Sequence, residues 1–158
     1  MIKTLAVVML ISVAGGIKIS WVPFASTVYP YTIQQPSSYR HIVYPDASGR
    51  KIDYFAPGLG SFVTNVSIYA TAGPSQGQAT AMRESGARSI HVSGHLVIAG
   101  KRRSLVCGDW HGIAGQWREE QIEFTSGGLV WHITMSYDLH YKSVRSVMLR
   151  MVRSFRLR

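Results

Sequence analysis

From Leu129 to Tyr137 every second residue is apolar: Leu129, Trp131, Ile133, Met135 and Tyr137, with His132, Thr134 and Ser136 interleaved. A period of two sustained over this length dictates a β-strand with one buried face. The triplet Ser126-Gly127-Gly128 precedes it, and before that runs an extended stretch from Trp117 through Ile122 and Phe124. Two strands joined across a Gly-Gly turn form an antiparallel hairpin. The chain must therefore build an antiparallel sheet.

Other segments supply further strands. Val28 to Ile33 reads as a short strand with Pro30 near its start, which suits a sheet edge. Arg50 to Phe55 and Phe62 to Ala70 follow, and Ser89 to Ile98 alternates again. In that last stretch Ile90, Val92, Leu96 and Ile98 are expected on one face, with His91, Ser93 and His95 on the other. Gly100-Lys101-Arg102-Arg103 reads as a charged hairpin turn leading into Ser104 to Cys107, and Gln78 to Ser85 as a short helix.

The period changes at the C-terminus. Tyr141, Val144, Met148, Met151 and Phe155 recur at spacings of three and four, the stripe of an amphipathic helix about 27 Å long. Lys142, Arg145, Arg150, Arg153, Arg156 and Arg158 occupy much of the remainder, with no acid among them. Strands in succession with a closing helix predict an α+β fold: an antiparallel β-sheet sandwiched by helices, with the C-terminal basic amphipathic helix packed on the sheet.

The first 25 residues are different in kind. Lys3 precedes an apolar run, Leu5 to Ala14, and small residues follow at Gly15 and Gly16. That order matches a secretory signal, with processing after Ala14 or Gly15 or near Ala25. A retained anchor is the alternative, since a helix from Thr4 to Val22 would reach roughly 28 Å with Lys18 near one end. The expected organisation is residues 1–25 as signal peptide or N-terminal membrane anchor and 26–158 as one domain. No cysteine follows the apolar run, which excludes a bacterial lipid anchor.

Composition narrows the partners. The net charge is +9, with 17 Lys and Arg against 8 Asp and Glu, which favours anionic surfaces. An export signal argues against nucleic acid. Cys107 is the one cysteine, so neither an internal disulfide nor a cysteine metal cluster is available. His91 and His95 stand four residues apart, a chelating spacing on a helix. On a strand that spacing separates them by roughly 13 Å, so no metal site is expected. Cys107-Gly108-Asp109-Trp110-His111 gathers a thiol, a carboxylate and an imidazole. Catalysis needs a thiolate paired with a base and an oxyanion site, and proximity in sequence provides neither. No phosphate loop, nucleophile elbow or dinucleotide motif is present. No enzymatic activity, cofactor or small-molecule substrate is expected.

Three stretches resemble one family. Tyr31-Thr32-Ile33-Gln34-Gln35-Pro36-Ser37-Ser38-Tyr39 looks like the opening strand of the PsbP-like and Mog-type superfamily. Thr64-Asn65-Val66-Ser67-Ile68 is similar to its Asn-Val-Ser-Val strand. The ending, a Gly-turn hairpin, Tyr141 and a helix closing in Arg153-Ser154-Phe155-Arg156, resembles its Ser-Phe-Arg terminus. The resemblance spans about residues 28 to 158. It implies an antiparallel sheet between helices and non-enzymatic work: extrinsic photosynthetic subunits, exported lipoproteins, secretion chaperones and a Ran-binding import factor are members. This chain departs in lacking the lipid-bearing cysteine and in its Gly/Pro loop near Gly73, and no cofactor ligands of the photosynthetic members map onto it.

These features together predict a non-enzymatic, extracytoplasmic, membrane-associated accessory protein. It would dock on a membrane protein complex or anionic membrane surface, as an extrinsic subunit of a photosynthetic or other membrane assembly. Lys101, Arg102, Arg103, Lys142, Arg145, Arg150, Arg153 and Arg156 are the expected electrostatic contacts. The alternative is a chaperone or carrier holding an apolar peptide or small ligand against a sheet face.

Overall fold

A computed structural model of the chain describes residues 18–58, 63–113, 115–141 and 143–158. Two sheets meet at a shared core. The smaller contains β1 (Trp21–Ala25), β2 (Tyr31–Pro36) and β10 (Arg156–Leu157), in the order β1-β2-β10. The larger contains β3 (Tyr39–Pro45), β4 (Lys51–Pro57), β5 (Asn65–Thr71), β6 (Arg88–Ile98), β7 (Lys101–Gly112), β8 (Gly115–Ser126) and β9 (Leu129–Asp138). Its order is β3-β4-β5-β9-β8-β7-β6, antiparallel throughout. Helix α1 (Gln78–Glu84) links β5 to β6, and α2 (Val144–Arg153) follows β9 after a short 3-10 turn. The α+β expectation holds.

The β8–β9 hairpin forms as its alternation requires. Ser126 pairs with Leu129, and both turn glycines take positive φ, 61° at Gly127 and 75° at Gly128, the conformation a two-residue hairpin turn demands. Trp131, Ile133, Met135 and Tyr137 are buried on one face, opposite Ile122 and Phe124 of β8. Met148, Leu149, Met151 and Val152 of α2 close over them, with Tyr31 and Ile33 of β2 and Phe155. Rings weld the two sheets: Tyr31 stacks on Phe155 at 5.0 Å, and Trp131 meets Phe155 edge-on at 5.6 Å.

Several elements differ from the sequence reading. Trp21–Ala25 is a strand of the folded body, paired with β2 from Trp21↔Pro36 to Ala25↔Thr32, so the folded body begins inside the segment assigned to residues 1–25. A helix running to Val22 is incompatible with that pairing. Lys101–Arg103 belong to β7, because the turn is Ala99-Gly100, with φ of 50° and 75°. Helix α2 spans ten residues, and Arg156 lies beyond it in β10, opposite Thr32. Tyr141 is exposed, while Phe155 past the helix end is fully buried. The sandwich is also lopsided: α2 and the small sheet cover one face of the large sheet, whereas among the described residues only the seven-residue α1 rests on the other.

The small sheet is tied to the large one by Asp53 of β4. Its side chain is fully buried, and Ser26 Oγ (2.5 Å) and Tyr31 OH (2.8 Å) both donate to Oδ2. His41 Nε2 lies 2.7 Å from Oδ1. Burial pushes this carboxyl up, but the bonds from His41, Ser26 and Tyr31 outweigh it and hold it below its ordinary value. Its stabilising contribution is therefore in place above the unfolded carboxylate range and fades as pH falls through the depressed value. Removing the acceptor in Asp53→Ala strands the buried Ser26 and Tyr31 hydroxyls and leaves the half-buried His41 without its partner, and is expected to cost about 3–5 kcal/mol. Denaturant unfolding at pH 7 checks this, and the loss should shrink as pH approaches 3.

Candidate functional site

Three surface features carry chemistry: a cationic end, a thiol–imidazole pair and a groove on the open sheet face. The cationic end follows from strand register. Arg103 lies over the Phe124 ring at 4.8 Å, next to the Ser126-Gly127-Gly128 turn. Helix α2 starts where Arg145 Nε meets both Glu120 oxygens at 3.0 Å, and the chain after it reaches Phe155, 6.1 Å from Phe124. The helix thus runs alongside β8 toward the same turn. Arg103 and Phe155, which precedes Arg156, thus both approach Phe124 near this turn.

The expected contacts are not equally free. Lys101, Arg102, Arg150, Arg153 and Arg156 are exposed. Arg150 covers the Trp21 ring at 4.3 Å, and Arg156 Nη1 donates to the Arg153 carbonyl at 2.8 Å. Arg145 is half-buried and engaged by Glu120, which is 1% exposed; its charge serves the attachment of α2. Lys142 lies outside the described residues.

Cys107 does not pair with His111. Its Sγ is 3.2 Å from Nε2 of His91, whose Nδ1 lies 2.7 Å from the Ser89 carbonyl. Bulges in β6 between Arg88 and His91 and between Val92 and Gly94 bring His91 opposite Cys107. They also split the expected apolar face: Leu96 and Ile98 are buried as expected, but Val92, before the bulge, is 53% exposed. His91 therefore faces a thiol, not His95. Burial pushes the Cys107 thiol up, more than the nearby Arg118 charge lowers it, so the sulfur is held as an unreactive thiol. Asp109 is bound by two bonds from Arg118, 2.7 and 3.0 Å. No group of three metal-ligating side chains occurs among the described residues.

The open face was not singled out by sequence reasoning. The polar residues between the core positions line two adjoining hollows that share Tyr69 and Gln121. One, about 480 Å³, lies between Thr71, Gln121, Glu123, His132 and α1. There His132 stacks on Tyr69 at 4.5 Å, Arg50 covers Tyr69 at 4.5 Å, and His132 Nδ1 is 3.4 Å from Glu123. Burial lowers the His132 value, which keeps the ring neutral near pH 7. The other, about 460 Å³, surrounds Trp117 and Glu119 of β8. The signal that could have found them is the second half of each alternation, Trp117-Glu119-Gln121-Glu123 against His132-Thr134-Ser136.

A seven-stranded antiparallel sheet with a helix laid along one face and the other half open defines an α+β sheet protein. Its fold is the one shared by PsbP and Mog proteins, as the sequence resemblance implied. The solution structure of cyanobacterial PsbP (CyanoP) from Synechocystis sp. PCC 6803 matches with a TM-score of 0.54 at 17% identity, covering 94% of this chain and 99% of that one. A crystal structure from Bacteroides thetaiotaomicron VPI-5482 gives 0.58 at 10% identity, over 86% of this chain and 48% of that one. The Saccharomyces cerevisiae Ran-binding protein Mog1p gives 0.53 at 10% identity, over 89% and 96%. No family model and no curated protein matches the sequence.

The environment of Cys107 makes a direct prediction. A chromogenic disulfide reagent at pH 8 should modify it roughly tenfold or more slowly in the folded protein than in urea. Equal rates would show a thiol more open and more ionised than this geometry provides.

Proposed function

We propose that this is an extracytoplasmic accessory protein, without catalytic activity, that docks on a membrane protein complex through its cationic end. The reading is supported by the contacts around Phe124, which bring Arg103 of β7 and the basic segment after α2 toward the β8–β9 turn. Such a concentration steers association with an anionic surface and speeds encounter. The PsbP-like fold supports an accessory role: the named neighbours are a PsbP and a Ran-binding protein. Among the described residues no helix is long and apolar enough to cross a membrane, so attachment would rest on the N-terminal segment and on docking. The basic helix α2 contributes through its last turn, because its first is tied to Glu120.

The carrier reading required an apolar groove on an uncovered sheet face. The uncovered face exists, and its hollows mix Val63, Tyr69 and Trp117 with the carboxylates of Glu119 and Glu123 and the Gln121 amide; the carboxylates suit a wholly apolar peptide poorly.

Two measurements test the proposal. The quadruple change Lys101→Glu, Arg102→Glu, Arg153→Glu and Arg156→Glu should abolish salt-sensitive co-purification with a membrane complex. Arg145→Lys should leave it intact. Recovery of the native chain as a free cytosolic monomer would sink the reading. If the N-terminus is processed, cleavage is expected after Ala14 or Gly15, since cleavage after Ala25 would delete β1; N-terminal sequencing of the exported protein decides.

A further inference from the structure

The chain holds twice as many cations as acids, and most acids have a cation or imidazole beside them. Asp46 meets Arg50, Asp53 His41, Asp109 Arg118, Glu120 Arg145, Glu123 His132 and Asp138 His140. Of the eight acids two remain. Glu84 is exposed at the end of α1. Glu119 is partly buried at the floor of the smaller groove, and among the described residues it has no cationic partner.

What holds Glu119 is neutral. Gln121 Nε2 donates to its Oε2 at 3.3 Å, and the neighbouring Trp117 side chain acts to lower the carboxyl. The remaining wall combines the hydroxyls of Ser67, Thr134 and Ser136 and the Asn65 amide with Val63 and Tyr69, and Glu119 is the single charged group lining this hollow of about 460 Å³. A volume of that order suits a small polar ligand. Burial pushes the carboxyl above its ordinary value, which means the charged form is penalised until something compensates it.

We propose that this groove binds an organic ammonium group, with the Glu119 carboxylate as its counter-charge and the Trp117 ring beside it. An ammonium presents three donors and a point charge. The carboxylate can take one donor, and the surrounding hydroxyl and amide oxygens accept the others. The alkyl stem that carries the ammonium can pack on the apolar surfaces of Val63, Tyr69 and Trp117 in the same hollow. A guanidinium fits less well, because its two-pronged fork seeks both carboxylate oxygens and Gln121 already donates to one. A metal ion would need further carboxylate or imidazole ligands that the groove lacks. The ammonium can belong to a free small amine or to a lysine side chain of a partner.

Titration calorimetry of the full chain at pH 7.5 tests this with three probes: butylammonium, N-acetyl-lysine methylamide and the neutral N-butylacetamide. Both ammonium probes should bind saturably, at least tenfold more tightly than the amide. Glu119→Gln should weaken them tenfold or more while keeping a thermal midpoint equal to or above that of the native chain. Trp117→Ala should weaken them several-fold. Tighter binding of the lysine probe than of butylammonium assigns the site to a partner's lysine; the reverse order assigns it to a free amine. Equal binding of the neutral amide, unchanged affinity in Glu119→Gln, or no saturation by either ammonium overturns the proposal.

Discussion

The arrangement of the two sheets depends on one buried carboxylate. Asp53 sits in β4 between the half-buried Ile52 and Tyr54, with its own side chain in the core, where an ionised group is costly unless its lone pairs are used. Ser26, Tyr31 and His41 use them. Ser26 in turn accepts the backbone N–H groups of Val28 and Tyr29 at 3.1 Å, which fixes the bend between β1 and β2. One acid thereby sets where the small sheet lies. Phe24, Phe55 and His41 then pack as a ring cluster with centroids 4.3 to 4.9 Å apart, and Phe155 follows Tyr31 into the core.

Charge is sorted by the same logic. Acids are scarce, and the fold uses most of them as internal fastenings: Asp53 for the small sheet, Glu120 for the start of α2, Asp109 for the β7–β8 pair. Each fastening consumes a cation or imidazole. The cations left over include Lys101, Arg102, Arg153 and Arg156, all exposed, so the positive surface is in part a by-product of how the interior is tied. Asp46 and Arg50 close the β3–β4 loop on each other and add no net charge there.

How much of this the sequence discloses depends on the regularity of each element. The β8–β9 hairpin is readable because alternation and two turn glycines agree. Strand β6 is only half readable: extending the register from Ile98↔Lys101 would put Val92 opposite Cys107, and the bulge before Gly94 substitutes His91. Nothing local in Val92-Ser93-Gly94 announces which residue is the extra one. β1 and β10 escaped because Pro23 interrupts the first and the second is two residues long; their pairing comes from β2, a tertiary cause. β3 escaped because its Tyr39–Pro45 run ends in a proline and shows little alternation. The groove escaped for another reason. Polar residues between core positions look like an ordinary wet face until the absence of a covering helix is known.

Neighbouring residues on one strand show how closely the two surfaces are coupled. Glu119 and Glu120 are consecutive in β8, so the pleat sends them to opposite faces of the sheet. Glu120 faces the core side and anchors Arg145 at the start of the basic helix; Glu119 faces the open groove and has only neutral partners. The same chemical group is thus a structural fastening on one side and an unmatched charge on the other, and the difference lies in what each face packs against. A fold of marginal stability has little reason to keep a desolvated, unpaired acid when a cation could be placed beside it. The strand that carries the helix anchor also carries that acid, so whatever occupies the groove rests on the strand that fixes the start of the cationic helix.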